Sequence, residues 1–339
     1  MPEKPLPNYE VVPLRKDKIK VSVLQTRNLT ASPDNPGEIR KKNVDRMCVL
    51  IDNAQQFGFR KELLKDLLVF HETPISGSNV RWPSANQHKI SIRLDGPEVD
   101  ALAKKAKQYN CYIAFGAYVV HEGWEDFYVN SGILIDPKGD IILKNWKKRN
   151  MPTSAFNTTV FDVLDKFVEM YGWDEIFPVA RTDIGNICFT AEIWEPEIIR
   201  AFAIKGAEIF IRPMTGGMPE RDDVPAQCRM NRMWGIFVNQ SMYMSDDKFH
   251  DGASGGSAIF DDMGKMVAEV NSNHETLIST NIPLAEYRKS HSVPIFRKEL
   301  YQKIWEEYVG KYPPNQYSKD GRPKDKIDQI QRLKNIARW

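Results

Sequence analysis

Read for hydrophobic period, the chain alternates between two kinds of segment. Ile19-Lys-Val-Ser-Val-Leu24 repeats with period two and predicts a first strand. A turn-rich loop over 28–37 follows, then helical spacing from Glu38 to about Phe57, with Val44, Met47, Cys48 and Ile51 on one face. Leu67-Leu-Val-Phe70 is a short apolar run of the kind a buried strand needs. The cycle repeats with a helix over Pro97–Gln108, proline in its first turn, and a strand over Cys111–Gly116. Tyr128–Ile135 and Asp140–Leu143 then bracket the turn Asp136-Pro-Lys-Gly139 as a β-hairpin. A long polar and aromatic segment fills 149–180.

The second half echoes the first. A strand around Ile187 leads into a helix from Pro196, and Glu208-Ile-Phe-Ile211 is another buried strand. A helix over 224–235 precedes the strand Ile236–Asn239. A second hairpin joins Ser257–Phe260 to Met266–Glu269 through Asp261–Gly264. Strands alternating with helices, together with paired hairpins, predict an α/β fold with two sheets. The expected division is an irregular Pro-rich arm over 1–18, one domain over 19–300 and an extension over 301–339. That extension is polar and turn-rich from about 311, and is expected to pack on the domain or on a partner subunit.

Composition removes several function classes. With 42% hydrophobic and 27% charged residues and a net charge of +2, there is no bulk electrostatic case for nucleic acid or an acidic membrane. No apolar run approaches the roughly 18 residues of a membrane span, and the first residues lack a signal-peptide core, so a cytoplasmic location is the default expectation. Cys48, Cys111, Cys188 and Cys228 fit neither a zinc motif nor a disulfide framework.

Three places carry candidate chemistry. Glu72 follows the Leu67–Phe70 run directly, at a strand end where α/β sheets place their sites. Lys144-Asn-Trp-Lys-Lys-Arg149 closes the first hairpin: it is either a solvated basic edge or the source of a buried ammonium beside a developing oxyanion. Ile187-Cys-Phe-Thr-Ala-Glu-Ile-Trp-Glu-Pro-Glu197 breaks from strand to helix, an elbow whose backbone N–H groups can hold an oxyanion.

In order and spacing, these elements resemble the Glu-Lys-Cys hydrolases of the nitrilase superfamily, with an amidase or β-ureidopropionase-like cast. The resemblance runs over about 19–285 and includes Tyr128-Val-Asn-Ser-Gly-Ile-Leu-Ile-Asp-Pro-Lys-Gly139 and the hairpin led by Gly256-Ser257. It implies a four-layer αββα sandwich, a homodimer or larger homo-oligomer, and hydrolysis or condensation of C–N bonds in small amides, carbamoyl compounds or nitriles. It implies neither metal nor organic cofactor. Glu72 takes the general-base position. Lys148 takes the lysine position through Lys148-Arg-Asn-Met-Pro152, with Lys147 as the neighbouring register.

The nucleophile position stays open between two residues. A gapless count back from Pro196-Glu197 puts Thr190 where the family has cysteine, Glu192 at its acidic position and the Ala191 N–H in the oxyanion hole. Cys188 lies two residues earlier, on the same strand face and about 6.5 Å deeper. Geometry favours Thr190; the nucleophilicity of a thiolate favours Cys188. A second departure is Thr158, where many members carry another acid; Asp162, Glu169 and Glu175 are the candidates to replace it. These departures leave a second expectation, a catalytically impaired or non-catalytic relative. A nitrilase or an amide-condensing enzyme is a third. Trp194, Phe156 and Arg212 are candidate substrate contacts, Arg212 also as a structural ion pair; His71 and His250 have no part in this mechanism.

Overall fold

The computed structural model describes residues 8–56, 63–79, 81–151, 157–192, 194–216, 221–242, 244–245, 248–249 and 254–339. The first half runs β1 (Ile19–Gln25), α1 (Pro36–Gln56), β2 (Leu67–Phe70), α2 (Ser84–Ile90), α3 (Pro97–Tyr109), β3 (Tyr112–Val119), β4 (Val129–Ile135) and β5 (Ile141–Trp146). After α4 (Leu164–Tyr171) come β6 (Ala180–Thr182), β7 (Gly185–Phe189), α5 (Pro196–Ile204), β8 (Ile209–Met214), α6 (Val224–Asn231) and β9 (Trp234–Asn239). The short pair β10 (Met244–Ser245) and β11 (Lys248–Phe249) precedes β12 (Ala258–Phe260), β13 (Met266–Glu269) and β14 (Thr276–Ile282). The chain ends with α7 (Leu284–Ser290), α8 (Gln302–Glu307) and α9 (Lys326–Ile336).

Among the described residues, two six-stranded sheets form, in the orders β14-β1-β2-β3-β4-β5 and β13-β12-β9-β8-β7-β6. Each has a parallel centre and antiparallel flanks, with β1, β2 and β3 parallel in one and β7, β8 and β9 parallel in the other. Parallel strands need helical crossovers, so helices cover the outer faces. Val21, Val23, Leu67 and Val69 meet Ile187, Phe189, Ile209 and Ile236 in one core between the sheets. The α1 and α3 side chains pack on the outer face of the first sheet, and those of α5 and α6 on the second. This is a four-layer αββα sandwich.

The sheets close tightly where β4 faces β7. A Cβ on Gly132 would lie 1.9 Å from the Phe189 ring, so only glycine admits that side chain.

Elements absent from the expected pattern include α2, α4, β6, α7 and α8, and three further departures have a local cause. The helix expected over 224–235 stops at Asn231, because Arg232 turns left-handed (φ 54°) and β9 begins at Trp234. Strand β14 has no apolar stripe to betray it; it is held by its antiparallel ladder to β1. Helix α9, in the segment read as turn-rich, is started by Asp325, whose carboxylate accepts from the Ile327 and Asp328 N–H groups at 2.8 and 2.9 Å. The extension itself lies on the domain: the N–H groups of Asn315 and Tyr317 donate to the carbonyls of Phe161 and Asp162 at 2.9 and 3.0 Å.

Candidate active site

Strand β2 ends at Phe70, and two residues later Glu72 is buried. Its oxygens are claimed from both sheets. Asn130 Nδ2, on β4, donates to Oε1 at 2.5 Å, and Thr215 Oγ1, just past β8, donates to Oε2 at 2.8 Å. Two neutral donors offset the desolvation of a carboxylate without neutralising it. Gly116 on β3 makes the position possible, since a Cβ there would come within 2.4 Å of the Glu72 carbonyl oxygen. The neighbouring His71 is fully enclosed, and burial pushes its imidazole down to about 3, so it is neutral.

At the exit of β5, the Lys147 N–H donates to the Asn130 carbonyl at 2.9 Å, and the next side chain, Lys148, turns inward. Its ammonium donates to the Trp146 carbonyl at 2.5 Å and to Asn145 Oδ1, and sits 5.8 and 5.6 Å from the ring centres of Phe177 and Phe202. Burial pushes this amine down to about 8, with Glu192 opposing the shift. Lys147 is only half-buried, so Lys148 is the enclosed member of the pair.

The elbow begins where β7 stops. Cys188 is inside the strand, paired with Phe210, and fully buried in the apolar cluster of Ile198, Phe202 and Phe210 beneath α5. Burial pushes its thiol well up, away from thiolate. Phe189 points the other way, into the core between the sheets. Thr190 is the first residue past the strand; its N–H donates to the Ile211 carbonyl at 2.9 Å. Its hydroxyl donates to Glu192 Oε2, while Glu192 Oε1 accepts the Lys148 backbone N–H. One carboxylate therefore ties the elbow to the backbone just past β5. The Ala191 N–H makes no hydrogen bond among the described residues.

The remaining candidates separate. Arg212 is buried and donates to Asp223 at 2.7 Å, the structural ion pair. Trp194 is 64% exposed with a left-handed backbone (φ 59°), a conformation that strains a bulky residue by on the order of 1 kcal/mol or more. Phe156, Pro152 and His250 lie outside the described residues. Thr158 is buried, its hydroxyl without a partner among the described residues; Glu169 and Glu175 are exposed, and Asp162 is buried, its Oδ2 accepting from the N–H and hydroxyl of Thr159. Among the described residues, no hydrogen bond or ion pair joins Glu72 to Lys148, Thr190 or Cys188. Residue pattern did not assign roles to Asn130, Asn145 or Thr215. Asn130 stands in the quoted Tyr-Val-Asn-Ser-Gly run, but a strand's period gives its face without saying which acid it meets.

The site thus offers a hydroxyl on a carboxylate, an enclosed ammonium, an N–H without a partner among the described residues at a strand-to-helix turn, and the buried Glu72 carboxylate held by Asn130 and Thr215. Among the described residues, no cluster of three or more His, Cys, Asp or Glu could hold a metal ion, and no helix is long and apolar enough to cross a membrane.

The family model for carbon-nitrogen hydrolases matches residues 38–291. Nitrilase 1 of Arabidopsis thaliana is 26% identical over 224 residues, 60% of this chain and 60% of that protein. A formamidase of Bacillus cereus is 28% identical over 154 residues, 43% of this chain and 40% of the formamidase, so the matches span well under the full length of these curated relatives. In fold, the chain is similar to a double mutant of the amidase from Nesterenkonia sp. AN1 solved in complex with acrylamide, with a TM-score of 0.62 and 17% identity, covering 87% of this chain and 100% of the other.

Proposed function

The chain belongs to the carbon–nitrogen hydrolase family, within the nitrilase superfamily, and from that premise we propose that it cleaves small amide or carbamoyl substrates with Thr190 as the acyl acceptor. The observation that carries the reading is the Thr190 hydroxyl donating to Glu192, whose other oxygen accepts the Lys148 backbone N–H. Thr190 Oγ attacks the carbonyl carbon as its proton passes to Glu192. The Lys148 ammonium and the Ala191 N–H stabilise the oxyanion. The C–N bond breaks, the amine leaves with the proton, and an ester remains on Thr190. Glu72 then takes a proton from the water that attacks the ester; the acyl–Oγ bond breaks and that proton is returned to Thr190 Oγ, releasing acid and free hydroxyl.

A hydroxyl is a weaker nucleophile than a thiolate at neutral pH, so turnover is slower than with cysteine. It also attacks nitriles poorly, which favours amides over the nitrilase reading. A second reading draws on a specific observation: among the described residues, Glu72 bonds to Asn130 and Thr215 and to no other member of the site, an arrangement suited to holding a ligand without turnover.

Ammonia release from a panel of amides and nitriles decides between them. Thr190→Ala is expected to abolish release, Cys188→Ala to leave it unchanged, and Thr190→Cys to raise it at least tenfold. Loss of activity in Cys188→Ala with Thr190→Ala unaffected would sink the threonine reading. No release from any amide by either the parent or Thr190→Cys would favour the binding role.

A further inference from the structure

A cavity of about 520 Å³ lies between the exit of β5, the turn that follows it, and the C-terminal extension. That is the size of a small-ligand pocket. Lys148 and Met151 form one wall, Phe161 and Asp162 a second, and Tyr312 and Tyr317 a third. Backbone bonds hold the walls in register. The Phe161 N–H donates to the Lys148 carbonyl at 2.9 Å, and the Asn315 N–H donates to the Phe161 carbonyl at 2.9 Å. Lys148 belongs to the reactive pole, whereas Glu72 and Thr190 do not line this space.

The cavity is mainly apolar and aromatic, with one group unaccounted for. Asp162 is buried, and both hydrogen bonds it accepts, from the Thr159 N–H at 2.9 Å and the Thr159 hydroxyl at 2.6 Å, fall on Oδ2. Oδ1 accepts none, and no cation pairs with this carboxylate, among the described residues. A carboxylate oxygen without a donor on the wall of a cavity is an unused acceptor. Nearby cations are already engaged: Lys148 by Asn145 and Trp146, Arg149 by Glu195, and Lys311 by the Trp339 ring at 5.2 Å. Aromatic walls around an unpaired acid suit an apolar body that carries a cationic or N–H donor end.

We propose that this cavity receives the non-reacting part of the substrate, a ring-sized apolar group ending in an amine or similar N–H donor that bonds Asp162 Oδ1. The inference rests on the amide-hydrolase reading for the identity of the ligand as substrate, and on the cavity alone for the ligand's chemistry. It makes the C-terminal extension a specificity wall, with Tyr312 and Tyr317 facing the bound group.

Calorimetric titration of the full chain at pH 8 with benzylamine, benzyl alcohol and phenylacetate tests the site without turnover. Benzylamine is expected to bind at least tenfold tighter than the other two. Asp162→Asn is expected to erase that preference, and Gln316→Trp, which fills the cavity from its outer side, to weaken benzylamine at least tenfold in a folded protein. Equal binding of the three ligands, or benzylamine binding untouched by both substitutions, overturns the proposal. Comparing 4-(aminomethyl)phenylacetamide with phenylacetamide as substrates separates the two layers. Hydrolysis of amides without benzylamine binding defeats the pocket and spares the function; benzylamine binding without hydrolysis of any amide does the reverse.

Discussion

At the residue scale, the site is built from side chains that each serve two neighbours. Asn145 accepts from the Lys148 ammonium through Oδ1 and donates to the Phe189 carbonyl through Nδ2, so its amide orientation is fixed by both partners. Asn130 does the same for Glu72 with its side chain and for Lys147 with its carbonyl. Asn130→Ala is therefore expected to leave one carboxylate oxygen unsatisfied, lowering stability by about 1–3 kcal/mol and kcat by tenfold or more, as read by chemical denaturation and ammonia release. Asp162 sets a pH signature. Burial pushes its carboxyl up to about 7, from the ordinary value of 3.8. The folded protein holds that proton more tightly than the unfolded chain, so this contribution to stability is complete below about pH 4 and is lost as pH rises through about 7. Asp162→Asn is expected to flatten the decline between those limits, by on the order of 1–4 kcal/mol, in unfolding curves measured across pH. Sequence pattern exposed the residue types at the site because Glu72 and Lys148 each follow a recognisable element. It could not choose between Thr190 and Cys188, since a period of two gives both the same face; the last paired residue of β7, Phe189, is a tertiary fact.

At the element scale, apolar strands were the most legible. Leu67–Phe70 and Ile209–Ile211 announce themselves because both faces are buried, one in the core between the sheets and the other beneath helices. Strand β14 and helix α9 lack such runs: one depends on its ladder to β1 and the other on an N-cap. Glycines mark where elements crowd, and Gly132 carries the sharpest test. Gly132→Ala must displace the Phe189 ring or spread β4 from β7, and overpacking of that kind costs typically 1–3 kcal/mol. A lowered Tm with weakened amide hydrolysis is expected, because Phe189 adjoins Thr190; an unchanged Tm would mean the ring relocates freely.

At the scale of the whole molecule, the arm and the C-terminal part of the domain are tied to the second sheet through one buried acid. Glu208 receives Arg288 at 2.7 and 2.8 Å, the Tyr9 hydroxyl at 2.7 Å and the Asn186 N–H at 2.7 Å. Removing the cation alone strands the carboxylate, so Arg288→Ala is expected to cost about 3–5 kcal/mol in denaturant unfolding, far more than loss of an exposed pair. This assembly was illegible in sequence because its members are up to 279 positions apart, from Tyr9 to Arg288, and each is unremarkable alone.

The placement of Glu72 has a mechanical corollary. Its two oxygens are gripped by Asn130 from one sheet and Thr215 from beyond a strand of the other, so the carboxylate is a gauge of interlayer spacing. Any strain that parts the layers, whether from heat, pressure or a distant core substitution, pulls on this acid before the ladders within either sheet begin to break. Function in this molecule should therefore fade at temperatures where its secondary structure is still intact.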